Sequence, residues 1–117
     1  MNDSIPEIPG VDIRGTLARM GLDYEDIREI LTRLPESLRK SLADAEVGVA
    51  AGDSAAVRHA AHTLAGLAAN FGVNRVQAAA KALEIATRDN RASEFQPLLD
   101  ALRPTVEEAA SGLSKLK

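Results

Sequence analysis

A chain of 117 residues with 26% charged and 45% hydrophobic content has the balance of one globular domain around a single modest core. Its formal net charge of −3 argues against nucleic acid, which demands a basic patch, and no apolar run approaches the roughly 20 residues of a membrane span. Without cysteine there is no disulfide, thiol chemistry or Cys-based metal site, and with no signal-peptide pattern the expected location is the cytoplasm.

Residues 1–10, with Pro6 and Pro9, read as an irregular leader to a single domain spanning 1–117. A short helix is expected next, with Asp12 as N-cap, Ile13, Leu17 and Met20 on one face and Gly21 as its stop. Asp23 can cap the following element, and Glu25 and Asp26 lie near its positive end. From Ile27 the apolar positions Ile30, Leu31, Leu34, Leu38, Leu42, Ala45 and Val49 form one stripe that keeps its phase across Pro35. A break would reset that phase, so the pattern predicts one long helix bent at the proline, with two short helices end to end as the alternative. Gly52 closes it.

Asp53 opens the stretch around which the chain is organised, DSAAVRHAAHTLAGLAANFG. Val57, Leu64, Leu67, Ala68 and Phe71 recur at three- and four-residue steps, with Ala60 and Ala61 between them, and define a buried stripe. Opposite lie His59, His62, Gly66 and Ala69. A solvated helix face is normally rich in Lys, Glu and Gln, whereas this one sets a histidine among residues with almost no side chain. Gly66 in mid-helix costs roughly 1 kcal/mol relative to alanine, which implies a close approach to the backbone. Either a second helix of the bundle or a visiting partner can make that approach.

Gly72 is placed to stop this helix in a left-handed cap and Asn74 to start the next, which runs to about Arg88 and buries Val76, Ala79, Ala80, Leu83 and Ala86. Ser93-Glu94-Phe95-Gln96 has the form of a capping box. The last helix carries Phe95, Leu98, Leu99, Leu102, Val106, Ala109, Leu113 and Leu116 on one side, with Pro104 predicting a kink near Arg103. Four long amphipathic segments with short links make an all-α protein. They are best buried as an antiparallel four-helix bundle, with the short N-terminal helix across one end.

The run His62-Thr63-Leu64-Ala65-Gly66, with Gly72 ten residues after the histidine, resembles the signature of histidine-containing phosphotransfer (HPt) domains, His-x-Leu-Lys-Gly with a glycine at that spacing. Ala50-Ala51-Gly52-Asp53, Ala82-Leu83-Glu84, Ile8-Pro9-Gly10-Val11-Asp12 and Leu17-Ala18-Arg19 also fall where that family has similar residues, so the resemblance covers nearly the whole chain. It implies the same bundle fold and a monomer. It also implies that His62 is a phosphoryl acceptor, exchanging the group with aspartyl phosphates on receiver domains of response regulators or hybrid histidine kinases. Such a protein is a carrier and not a turnover enzyme. It needs no cofactor of its own, because the receiver brings the Mg²⁺.

A neutral imidazole suits the role, since its unperturbed pKa of about 6.5 leaves a nucleophilic nitrogen at neutral pH. Glu84 aligns with a family position that often holds Glu or Gln; there it would accept the Nδ1 proton of His62 and leave Nε2 to attack, and it also reads as a solvated glutamate. Gly66 and Ala69 would form the docking surface. In place of the family's usual lysine stands Ala65, and Leu67 replaces a commonly small residue. Arg58, one turn before His62, is a candidate for the missing charge, and His59 for contact with a partner; both also read as ordinary surface residues.

Other readings stay open at this level. Without the lysine the chain could dock receivers and transfer poorly, acting by sequestration. A metal-binding bundle could draw two ligands from His59 and His62, but it would need inward carboxylates of the Glu-x-x-His kind, which the sequence lacks. A plain structural bundle is the fourth.

Overall fold

The computed structural model describes residues 5–116. Five α-helices follow one another: α1 (Ile13–Met20), α2 (Tyr24–Ala51), α3 (Ser54–Asn70), α4 (Asn74–Arg88) and α5 (Phe95–Ser114), with a 3-10 turn, Ala92–Glu94, before the last. α2 packs on α3, α3 on α4, α4 on α5 and α5 back on α2, which closes a ring of four helices. Short links between successive members make neighbours antiparallel. The bundle measures 49 × 23 × 18 Å.

Its core follows the sequence stripes. Leu31, Leu38, Leu64, Leu83, Leu99, Leu102 and Leu113 are among the fully buried side chains, and with Ile27, Val57, Val76 and Val106 they fill the space between the four helices. Burying each such side chain is worth about 1.5–3 kcal/mol, which outweighs the weak intrinsic preferences of single residues. The stripe of α2 runs unbroken through a buried Pro35, so the 28-residue element is one helix. Its start is tied by the Asp26 carboxylate, which accepts the Asp23 backbone N–H at 2.9 Å. Pro104 likewise lies inside a continuous α5.

Some expectations are corrected. Ile30 and Met20, assigned to buried stripes, are 49% and 39% exposed, because each sits at the edge of its helix's apolar arc. The Ser93–Gln96 capping box does not form: Ala92–Glu94 already turns as a 3-10 helix, and the Gln96 side chain donates to Asp100 Oδ1 at 2.9 Å instead. Asn74 is the first residue of α4, and Val73 precedes it as a cap without a side-chain hydrogen bond. In the leader, residues 1–4 lie outside the described residues, while Ile8 and Val11 are buried and bridge each other.

α1 lies over the end of the bundle where α3 turns into α4, as expected of a short end-capping helix. Asp12 caps it by accepting from Gly15 N–H at 2.9 Å, and the Asp12 N–H donates to the Gly72 carbonyl at 2.9 Å. Gly72 has φ +68°, and a Cβ there would lie 2.7 Å from the Asp12 carbonyl oxygen. Only glycine lets α1 come this near. Arg19 completes the attachment, its Nη2 donating to the carbonyls of Ala69 (3.1 Å) and Asn70 (2.9 Å) at the last turn of α3.

Candidate functional site

The rotation of α3 is set by Val57, Ala61, Leu64 and Ala68, all with no measurable exposure. His62 precedes Leu64 by two residues, or about 200° around the helix, so burying the leucine turns the histidine outward. Its side chain is 74% exposed. The imidazole is nonetheless held. Its Nδ1 lies 2.8 Å from Oε2 of Glu84, on the facing side of α4.

Glu84 is not a solvated glutamate. Its side chain is 15% exposed, and its second oxygen, Oε1, is buried with no hydrogen-bond partner among the described residues. Packing encloses the carboxylate in the position from which it reaches the imidazole. A carboxylate that is ionised can only accept, so a neutral ring bonded to it would carry its proton on Nδ1 and its lone pair on Nε2.

Around His62 the surface forms an open depression between α3 and α4. Ala65, Gly66 and Ala69 contribute from α3, and Gln77, Lys81 and Glu84 from α4. The close approach implied by Gly66 is made by no other part of the described chain: a Cβ built there meets nothing within 4 Å. Tight packing between the protein's own helices thus gives no reason for the glycine. Gly48, by comparison, lies where a Cβ would crowd Val57 at 3.0 Å, so close packing of α2 on α3 accounts for that glycine.

Of the residues the sequence suggested, His62, Glu84, Ala65, Gly66 and Ala69 come together here. Arg58 and His59 are exposed on α3 and do not line the depression. Leu67, which the phase put beside the core, is half-buried and packs against it. Sequence reading passed over Lys81. Its signal was available, because Lys81 is three residues before Glu84 and shares its face of α4. Among the described residues no group of three His, Cys, Asp or Glu side chains is placed to hold a metal ion. The metal-binding reading finds no ligand set.

The class of protein this defines is a helical bundle with an outward imidazole beside a largely buried carboxylate, over a floor of alanine and glycine. Comparison with family models gives that class its name. The Hpt domain model matches residues 25–112, from the first turn of α2 almost to the end of α5, and the chain belongs to that family. Searches of curated proteins and of solved structures found no match. Hpt domains are histidine-phosphotransfer modules of phosphorelays, carriers and not turnover enzymes, and receiver domains are their partners. No helix among the described residues is long and apolar enough to cross a membrane.

Proposed function

We propose that this protein is a phosphorelay intermediate in which His62 takes a phosphoryl group from the aspartyl phosphate of one receiver domain and gives it to the aspartate of another. The observation that carries the reading is the 2.8 Å contact between His62 Nδ1 and Glu84, which leaves Nε2 facing solvent on an exposed ring. In the forward step the Nε2 lone pair forms the N–P bond while the P–O bond to the receiver's aspartate breaks. The bonding electrons leave with the carboxylate. The Nδ1 proton stays on the ring, where the Glu84 carboxylate offsets the positive charge that develops. The reverse step regenerates neutral His62.

Alignment and charge neutralisation do most of the work in phosphoryl transfer. In this reading the receiver supplies the Mg²⁺ and its own cation, and the bundle supplies the aligned imidazole. Gly66 and Ala69 form the docking floor, since a partner must approach to within a few ångströms of α3 before the transfer is in line. The protein acts as a monomer in the cytoplasm, because a second subunit on the Gly66 face would occupy the receiver's place.

Ala65 favours one competing reading, in which receivers dock but transfer is weak. Treatment with phosphoramidate, followed by mass spectrometry of wild type, His62→Ala and His59→Ala, separates the two. Acid-labile label that disappears only in His62→Ala, and that is discharged by receivers from a panel, is the expected result. Receivers that bind while His62 takes no label would make the protein a sequestering module.

A further inference from the structure

We propose that Lys81 is the cation that receives the phosphoryl group at His62, reaching from α4 into the place where α3 carries only Ala65. The inference rests on the phosphocarrier reading above and assigns a contact within the same site.

The register of the two helices carries the argument. α3 and α4 run antiparallel and make the most extensive contact in the bundle. The His62–Glu84 hydrogen bond fixes which residues face each other. One turn from that pair toward the α3–α4 link, Ala65 on α3 meets the level of Lys81 on α4. A further turn on, Ala69 meets the level of Gln77. All of these line one depression. A lysine on either helix at the Ala65–Lys81 level can extend over the same floor, since its ammonium rides on a flexible four-carbon stem.

Lys81 is exposed, and among the described residues it makes no ion pair or hydrogen bond. Arg75, nearer the start of the same helix, is bound to Glu108 at 2.9 Å. Lys81 is also the one Lys or Arg among the residues lining the depression. Local charge gives it a task. A phosphoryl group on Nε2 brings negative charge near the carboxylate of Glu84, and like charges repel unless a cation stands between or beside them. Lysine at both levels would set two ammonium groups against each other. Ala65 with Lys81 keeps one. Lys81 forms and breaks no covalent bond; it donates hydrogen bonds to the non-bridging phosphoryl oxygens as the N–P bond forms.

The rate of His62 labelling by phosphoramidate tests this in four proteins: wild type, Lys81→Ala, Lys81→Arg, and the double variant Ala65→Lys with Lys81→Ala. Loss of one charge-assisted hydrogen bond at an exposed site should slow Lys81→Ala about tenfold. Lys81→Arg and the transposed lysine should restore the rate to within about threefold of wild type. Lys81→Ala and Lys81→Arg should melt like wild type, because position 81 is on the surface, and a melt of the double variant, whose position 65 is half-buried against the core, checks that it is folded. Labelling of Lys81→Ala at the wild-type rate overturns the assignment. So does a loss that neither the arginine nor the transposed lysine repairs, since the effect would then not be that of a cation in this space. If wild type itself takes no label at His62, the phosphocarrier reading falls, and this inference with it.

Discussion

The outer faces of α3–α4 and of α2–α5 are both polar surfaces of one bundle, but their charges are used differently. On the α2–α5 side two arginines are spent within the chain. Arg39 binds Glu107 at 3.1 Å, and Arg103 binds Glu46 at 2.9 Å and Asp100 at 3.2 Å. On the α3–α4 side the floor is alanine and glycine, the imidazole is largely exposed, and Lys81 is uncommitted. The contact there between His62 and Glu84 holds the imidazole without covering it. Exposure alone does not mark a site; capacity left unsatisfied by the chain's own partners does.

The largest expected effect comes from filling the floor. Gly66→Leu adds a side chain into open space, so the fold should persist and His62 should still take label from phosphoramidate. Transfer from a receiver should fall by about 100-fold, because a displacement of about 1 Å at the reacting atoms is worth that much. Equal rates from phosphoramidate and from receiver in this variant would mean that the floor is not the docking surface.

Removing the brace should have a smaller effect. Glu84→Ala frees the imidazole to rotate and to change tautomer, and labelling of His62 should slow about 10-fold, the scale typical of lost orienting partners. Glu84→Gln keeps a group that can accept from Nδ1 and should lose less. If both substitutions leave the rate unchanged, the carboxylate is only a structural neighbour.

The smallest effect is expected on the opposite face. Arg103→Ala removes exposed ion pairs to Glu46 and Asp100, which should barely shift a thermal or urea melt and should not alter labelling. A clear fall in labelling would show that the two faces are coupled through the bundle, and that the contrast between them is drawn too sharply.

Apolar spacing made most of the fold legible. The phase of Leu31, Leu34, Leu38 and Leu42 across Pro35 was enough to predict a single α2, and the phase of α3 put His62 and Gly66 outward. End effects were less legible. Ser93 to Gln96 has the composition of a capping box, but the chain was already turning at Ala92 and Asp100 took the Gln96 side chain. Ile30 failed for a related reason, since a position on the edge of an apolar arc follows the neighbouring helix more than its own period.

Within the site, residues on α3 could be grouped by period alone, whereas those on α4 required the register between two helices. For that reason Glu84 entered through family resemblance and Lys81 was passed over, with Arg58 suggested in its place. Distances such as the 2.8 Å from Glu84 to His62, and the burial of its free oxygen, come from packing that no single-chain pattern encodes.

The most direct test is the nitrogen NMR spectrum of the His62 ring, recorded before and after phosphoramidate treatment. With Glu84 holding the Nδ1 proton, the neutral ring should show a protonated Nδ1 and a bare Nε2, and the phosphorylated ring should carry its phosphorus on Nε2. A ring protonated at Nε2, or phosphorus appearing on Nδ1, would contradict the account.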